Sequence, residues 1–322
     1  MTQHPIAPDS ADSGHSVSER AAAASRSTWV SVAVNLVLAV VQIVVGVWAR
    51  SQALVADGVH TLSDLVADFV VLFANHHSQK APDVEHPYGH HRFETAASLV
   101  LGLLLLGVGA SMLWAGAMKL QNPADIPKVH AAALGVALLA LVGKESLFRY
   151  MLAVARRVKS SMLVANAWHA RSDAASSLVV AVGIVGNLAG YPILDPIAAL
   201  IVGFMVARMG WTFGWSALQD LTDRAVDADE VQEIRATLAG TPGVLGVHDV
   251  RTRRMGDMIV VDAHIEVQAT LTVEAGHDIA VVARQRVMQR HRVLNVMTHV
   301  DPSNRPDGDH APVPPPRHHA GA

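Results

Sequence analysis

Six stretches of this 322-residue chain, roughly 28–49, 53–75, 96–118, 130–155, 162–187 and 193–216, stay apolar over the ~20 residues that a helix needs to cross a bilayer. Nothing else in the sequence limits the fold as strongly. In lipid every backbone N–H and C=O must be satisfied within the segment or by a closed sheet, so runs of this length read as helices. The sixth run is the least clean, since Gly203 and Gly210 interrupt it. The whole chain is 51% hydrophobic and only 16% charged, and its length accommodates one membrane domain and one small soluble domain.

The flanks differ in composition. Residues 1–27 are rich in Ser, Ala, His and Asp without an apolar core, and read as a disordered cytoplasmic lead-in with no signal peptide. Residues 28–216 then form the six-helix membrane domain, 217–302 a soluble domain of short amphipathic pieces, and 303–322 a disordered Pro- and His-rich tail carrying His310, His318 and His319. With the N-terminus inside, Arg20, Arg26, Lys80, Arg92, Arg149, Arg156, Arg157 and Lys159 fall on the cytoplasmic side, against Arg50, Lys119 and Lys128 outside. That asymmetry places both termini in the cytoplasm of a multi-pass protein, and the short loops fit a bacterial inner membrane. The formal net charge of −3 offers no basic footprint for nucleic acid, and the absence of cysteine removes disulfides and thiolate ligands, which argues against copper(I).

Two of the apolar runs carry the same polar interruption. His60 and Asp64 in the second, and His169 and Asp173 in the fifth, are four residues apart, so each pair lies one helical turn above the other on a single face. Two such edges facing one another make a cage of two imidazoles and two carboxylates, a donor set suited to a tetrahedral divalent ion and to zinc above all. Carboxylates buried in lipid without a cation or proton are costly, so intramembrane ionisable residues mark ion or proton pathways. Asp57, His60, Asp64 and Asp68 continue as one stripe at i, i+3, i+7 and i+11, and Asn166, His169, Asp173 and Ser177 repeat it. Helices two and five therefore face each other across a polar path. Asn35 and Gln42 add to its lining or act as packing glue between helices. Arg171 needs a partner that the sequence does not name, and Lys144 with Glu145 marks where the fourth segment leaves the bilayer.

Asp83, His86 and His90, spaced three and four apart in the connection bent by Pro87 and Gly89, form either a second ion site or a His-rich polar loop, and spacing alone leaves both open. His76, His77 and His91 read as solvated. The soluble domain reads as helix 229–238, strands 244–253 and 258–267, helix 273–289 and strand 293–300, an αββαβ unit with its helices on one side of a sheet. Its histidines, His248, His264, His277, His291 and His299, are structural, exposed or metal-binding as far as their positions tell.

These residues together resemble the cation diffusion facilitator family, the proton-coupled exporters of divalent metals. The resemblance spans about residues 28–302 and rests on Ala56-Asp57-Gly58-Val59-His60-Thr61-Leu62-Ser63-Asp64, Asp83-x2-His86-Pro87-Tyr88-Gly89-His90-x-Arg92-x-Glu94, His169-Ala170-Arg171-Ser172-Asp173, Asp195-Pro196 and Val247-His248-Asp249-Val250-Arg251-Thr252-Arg253. It implies that His60, Asp64, His169 and Asp173 are the membrane transport site, and that Asp83, His86 and His90 are a loop ion site. It implies further that His248, His264, His277, His299 and Asp301 hold metal in a metallochaperone-like C-terminal domain, through which the chain forms a homodimer. Relatives with two His-x3-Asp edges carry mostly zinc, often with cadmium or cobalt, whereas manganese carriers usually place carboxylates or amides where His60 and His169 stand. Arg92 matches a basic residue that pairs with an acid after helix six, for which Asp223 is the candidate.

The resemblance therefore implies a secondary transporter and no enzyme, with Zn2+ as cargo and regulatory ligand and protons as counter-ion. Cadmium, cobalt, iron or manganese export is the alternative within the family. From other classes, a membrane non-haem iron oxygenase would need His-x3-His or His-x2-His-His boxes on the cytoplasmic side, and a passive metal channel or a sensor would carry flux indifferent to a pH gradient, or none.

Overall fold

The computed structural model describes residues 17–157 and 161–303, apart from the side chains of 17–24, 71, 75, 161–163, 165, 166 and 169. Lys159 and the tail histidines His310, His318 and His319 lie outside the described residues. Six long helices come first: α1 (Val17–Trp48), α2 (Gln52–Ser78), α3 (Arg92–Gln121), α4 (Ala132–Arg157), α5 (Ser161–Leu188) and α6 (Leu194–Leu221). Then follow α7 (Ala228–Ala239), β1 (Gly246–Met255), β2 (Met258–Val267), α8 (Val273–Arg290) and β3 (Val293–Pro302). The expected helical membrane domain followed by a small αββαβ domain is the architecture found. One expectation fails at the N-terminal edge, because α1 begins at Val17 and so includes residues 17–27 of the stretch read as disordered. The run Ala21–Ala24 has the highest helix propensity available and extends the helix ahead of its apolar part.

The chain divides into two compact units, one made of Met1–Val70 with Val100–Phe213, the other of Val71–Leu99 with Gly214–Ala322. The ends of α2, α3 and α6 thus group with the C-terminal unit, a division that differs from a cut at residue 217.

In the first unit the interior is built from small side chains. Ala53, Ala56, Ala133, Ala137, Ala181, Ala198 and Ala199 pack with Leu54, Val180, Ile184 and Val202 in one cluster. Large apolar groups point outward instead, among them Val37, Val40 and Val44 on α1, Leu103, Leu104 and Trp114 on α3, Val182 and Val185 on α5, and Phe204 and Trp211 on α6. An apolar exterior over a core of small residues is the arrangement lipid favours, since apolar surface gains little by leaving a hydrocarbon solvent and helices associate by close packing. Gly203 and Gly210 are such packing positions, and α6 runs through them unbroken. A Cβ on Gly210 would sit 2.5 Å from the backbone N of Leu106, and one on Gly203 would sit 3.0 Å from Met112 Cβ. They let α6 approach α3, which is why the sixth run looked interrupted.

Two anchors orient α2. Ser51 caps its first turn, accepting from the N–H of Leu54 at 3.2 Å, and the Ser51 hydroxyl donates to Asp195 Oδ1 at 2.6 Å. Asp195 Oδ2 in turn accepts from the N–H of Gln52 at 2.7 Å, so the start of α6 supplies an anion to the N-terminus of α2. That accounts for the Asp195-Pro196 motif as a joint that sets the helix bearing His60 and Asp64. Arg171 finds its partners in aromatic faces: its guanidinium lies 5.0 Å from the Phe148 ring centre and 5.1 Å from that of Trp168.

In the second unit β1 and β2 form an antiparallel hairpin turned at Gly256, whose φ is +63°, and β3 joins β2 in parallel to give the order β1-β2-β3. Parallel pairing needs a crossover, which α8 provides. Ile259, Val261 and Ala263 alternate on one face of β2 and pack with Ile234, Leu238, Ala283, Val287, Val293 and Val296. The other face of β2 carries Asp262, His264 and Glu266. Arg92 and Asp223 form the expected ion pair at 2.6 Å, both half-exposed.

Candidate metal centre

Three groups of metal-ligand side chains stand out among the described residues, and each contains residues singled out by spacing or resemblance. The first is in the membrane unit. One turn apart on α2, His60 Nδ1 and Asp64 Oδ2 are 3.4 Å from each other, and Asp173 of α5 brings a carboxylate so that one donor atom of each lies within 4.8 Å of the others. His60 is buried and the two acids are half-buried, so the pocket is shielded yet reachable. His169 stands one turn before Asp173 on α5, and its side chain lies outside the described residues.

The polar stripe on α2 does not behave as one continuous path. Asp68 is exposed, whereas Asp57 is fully buried and held in a set of its own. Lys144 of α4, which looked like a membrane-exit residue, is 2% exposed and sits 3.3 Å from Asp57 Oδ1. Gln42 of α1 and Ser176 and Ser177 of α5 also donate to that carboxylate. Gln42 is therefore a hydrogen-bond donor to Asp57, while Asn35 Nδ2 reaches Ser31 Oγ at 3.5 Å, on its own helix. The hydroxyls of Thr61 and Ser63 turn back to the carbonyls of Asp57 and Val59 and take no part in the pocket. Sequence reading missed Lys144 and Ser176 because each is legible only once four helices are packed. The one available signal was that a Lys inside an apolar segment must be paired.

The second group is the α2–α3 connection, where Asp83, His86 and His90 converge. Asp83 Oδ1 accepts from the N–H groups of Glu85 at 3.0 Å and His86 at 2.6 Å, and its two oxygens lie 3.4 Å from His86 Nδ1 and from His90 Nε2. The His86 backbone N–H holds the Asp83 carboxyl below the usual carboxylate range, so it remains an anion through mildly acidic pH. Gly89, at φ +82°, makes the turn that brings His90 back beside His86, ring centres 4.5 Å apart. His77 is not a solvated residue as expected: its ring packs edge-on against His90 and Phe93.

The third group comes from strand register. His248, His264 and His299 occupy matching rungs of β1, β2 and β3 and form a row across the sheet. Asp301 joins it, with Oδ2 2.9 Å from His264 Nδ1 and 3.4 Å from His248 Nε2, and Oδ1 3.3 Å from His299 Nε2. Of these, His248, His264 and Asp301 have donor atoms within 4.8 Å of one another. Glu266, two residues after His264 on the same face, lies 3.1 Å from His248 Nδ1 and orients that ring. Glu266 was not predicted, although period-two alternation on β2 pointed to it. His277 does not join the group. It is exposed on α8 and is not among the donors that meet there, although it lines the same cavity as Asp301. His291 is occupied by Thr237, at 3.0 Å.

Comparison with known proteins gives these groups a context. Residues 28–222 match the cation efflux transmembrane domain, and residues 226–303 match the cytoplasmic domain of cation efflux proteins. A metal tolerance protein 2 of Oryza sativa subsp. japonica is 34% identical over 305 residues, covering 86% of this chain and 78% of that protein. A manganese efflux system protein of Bacillus subtilis is 33% identical over 277 residues, covering 85% of this chain and 93% of its own length. Among solved structures, the metal-bound C-terminal domain of a CzcD transporter from Thermotoga maritima shares 31% identity with 24% of this chain, over 91% of that domain, at a TM-score of 0.23. By both domains and by its relatives, the chain belongs to the cation efflux family of membrane metal transporters.

Proposed function

We propose that this chain exports Zn2+ from the cytoplasm in exchange for protons, through a cage made of His60, Asp64, His169 and Asp173. The observation that carries the reading is the convergence of His60, Asp64 and Asp173 from two membrane helices onto a common point. Two imidazoles with two carboxylates favour zinc over harder cations, because imidazole suits zinc while manganese and calcium prefer all-oxygen sites. Metal ligands must be deprotonated, so an ion arriving from one side displaces protons, and protons from the other side displace the ion after the helices rock. Only interactions that differ between inward- and outward-facing states drive such a cycle.

Manganese is the second reading, favoured by the manganese efflux protein among the relatives. The loop group and the strand row supply regulatory or delivery sites on the cytoplasmic side, with both termini in the cytoplasm of a bacterial inner membrane. A homodimer fits the name of the family that matches residues 226–303, which denotes a dimer. In such a dimer, zinc on the strand row draws the two C-terminal domains together and biases the membrane units toward transport.

The test is metal uptake by sealed proteoliposomes, with zinc or manganese outside and a pH gradient imposed or absent. Zinc flux that rises with the gradient and exceeds manganese flux is the expected result. Manganese carried in preference would move the cargo assignment to the second reading, and flux of either ion that ignores the gradient would replace the antiporter by a channel.

A further inference from the structure

The cage does not use the most thoroughly buried charges of the membrane unit. Asp57 is on the same face of α2 as His60, one turn away, so by residue type and spacing it is a third metal-ligand side chain in line with His60 and Asp64. Yet its carboxylate is spoken for. It is fully buried, and a carboxylate has about four lone-pair positions. Gln42 Nε2 at 2.5 Å, Ser177 Oγ at 2.6 Å and Ser176 Oγ at 2.9 Å reach it, and Lys144 Nζ lies 3.3 Å and 3.4 Å from its two oxygens. Lys144 also reaches the backbone carbonyl of Asp173 at 3.5 Å, on the turn of α5 that bears the cage carboxylate. One ammonium thus ties α4 to the ligand-bearing turns of both α2 and α5.

A pair of charges this deep is a poor source of stability, since taking both ions out of solvent costs about as much as their attraction returns. A well-packed apolar pair would hold the helices equally well, and two serines and a glutamine would not be needed. The arrangement does make chemical sense if a free carboxylate at this place would attract the cargo. We propose that Lys144 is a resident counter-cation, occupying Asp57 so that a transported divalent ion is confined to the level of His60, Asp64 and Asp173, one ion per chain. This rests on the cage reading given above and adds to it the residue that sets where the cage ends. Lys144 is a positioning residue in this account, acting on the cargo through Asp57.

Removing either charge has opposite consequences. Without the ammonium, Asp57 keeps Gln42 and Ser177 as donors, Ser176 shares its one proton between Asp57 and the Asp173 carbonyl, and a vacancy opens for a cation. Without the carboxylate, the ammonium stays beside the cage as an uncompensated positive charge and repels a divalent ion.

The experiment is equilibrium dialysis of the full-length detergent-solubilised chain against Zn2+, comparing native protein with Lys144→Met, Asp57→Asn, Asp57→Asn/Lys144→Met and Asp173→Ala. Sites outside the membrane unit are common to all variants and cancel in the differences. Lys144→Met is expected to bind about one more ion per chain than native, and the double variant to return to the native number. Native stoichiometry in a Lys144→Met chain with native elution volume and helical dichroism overturns the inference. Asp57→Asn provides an arm that does not depend on Lys144→Met folding: its membrane-site affinity should fall about tenfold, and an unchanged affinity overturns the inference equally. A purely structural pair would alter melting temperature in these variants without adding an ion or weakening one. If native and Asp173→Ala chains bind the same number of ions, the cage itself fails and this inference with it; a native excess over Asp173→Ala beside an unaltered Lys144→Met sinks this inference alone.

Discussion

The membrane cage and the strand row use the same two side-chain types and solve opposite problems. In the cage, His60, Asp64 and Asp173 come from helices far apart in sequence and meet in a shielded interior. There, in the proposed reading, a divalent ion would offset the cost of burying two acids. In the row, His264 already bonds Asp301 at 2.9 Å and His248 lies against Glu266 at 3.1 Å, on the face of a sheet whose other side is covered by helices. The histidine row is partly open to solvent, so its charges are screened and its donors satisfied before any metal arrives. As the proposed transport site, the first would need its ion to be exchangeable across a membrane. The second is suited to sensing concentration, because an ion there competes only with hydrogen bonds that water can replace.

That contrast predicts very unequal mutations. Asp173→Ala should reduce zinc flux in proteoliposomes to the level of protein-free vesicles, since it removes a carboxylate that a buried divalent charge requires; measurable saturable flux would break the comparison. His264→Ala should leave transport in place but weaken it by about fivefold, the lower end of usual allosteric coupling. Zinc-dependent closure of the C-terminal domains, followed by energy transfer between labels, should vanish in the same variant. Closure that persists would take the row out of regulation, and flux as low as in Asp173→Ala would make it part of the transport path.

The same contrast explains what was legible in the sequence. Helical spacing is local, so His60 with Asp64 and His169 with Asp173 could be read as two edges of a cage from a period of 3.6 alone. Strand 258–267 was equally readable from the alternation of Ile259, Val261, Ala263 and Ile265, and the αββαβ order followed. The row was different in kind. That His248, His264 and His299 share a rung depends on the bulge between His248 and Arg251 and on the parallel register of β3, neither of which has a local signal. The resemblance to a family pointed to these residues but not to Glu266, which lies 3.1 Å from His248 Nδ1. Lys144 was illegible for the same reason: its partners, the Asp57 carboxylate and the Asp173 carbonyl, come from two other helices.

Smaller effects sharpen the comparison at its edges. Gly210→Ala should cost the membrane unit about 1–3 kcal/mol by overpacking, because its new Cβ would meet the Leu106 backbone, which cannot rotate away. Thermal unfolding of the helical signal should shift down, while the zinc affinity of the strand row stays at the native value. A change in both would mean that the packing of α3 on α6 also governs the row. Arg92→Ala should be weakest, under about 1 kcal/mol, because the Arg92–Asp223 pair is half-exposed and screened by salt. A large loss of flux there would give this surface pair a role in the transport cycle that its exposure does not account for.

The most direct test of the whole account is to record zinc influx and internal pH in the same proteoliposomes, for the native chain and for His60→Ala. The account predicts that each zinc ion entering the native vesicles is accompanied by protons leaving, and that both signals disappear together in the variant. Zinc entering native vesicles with no change in internal pH, or both signals persisting at native size in His60→Ala, would contradict it.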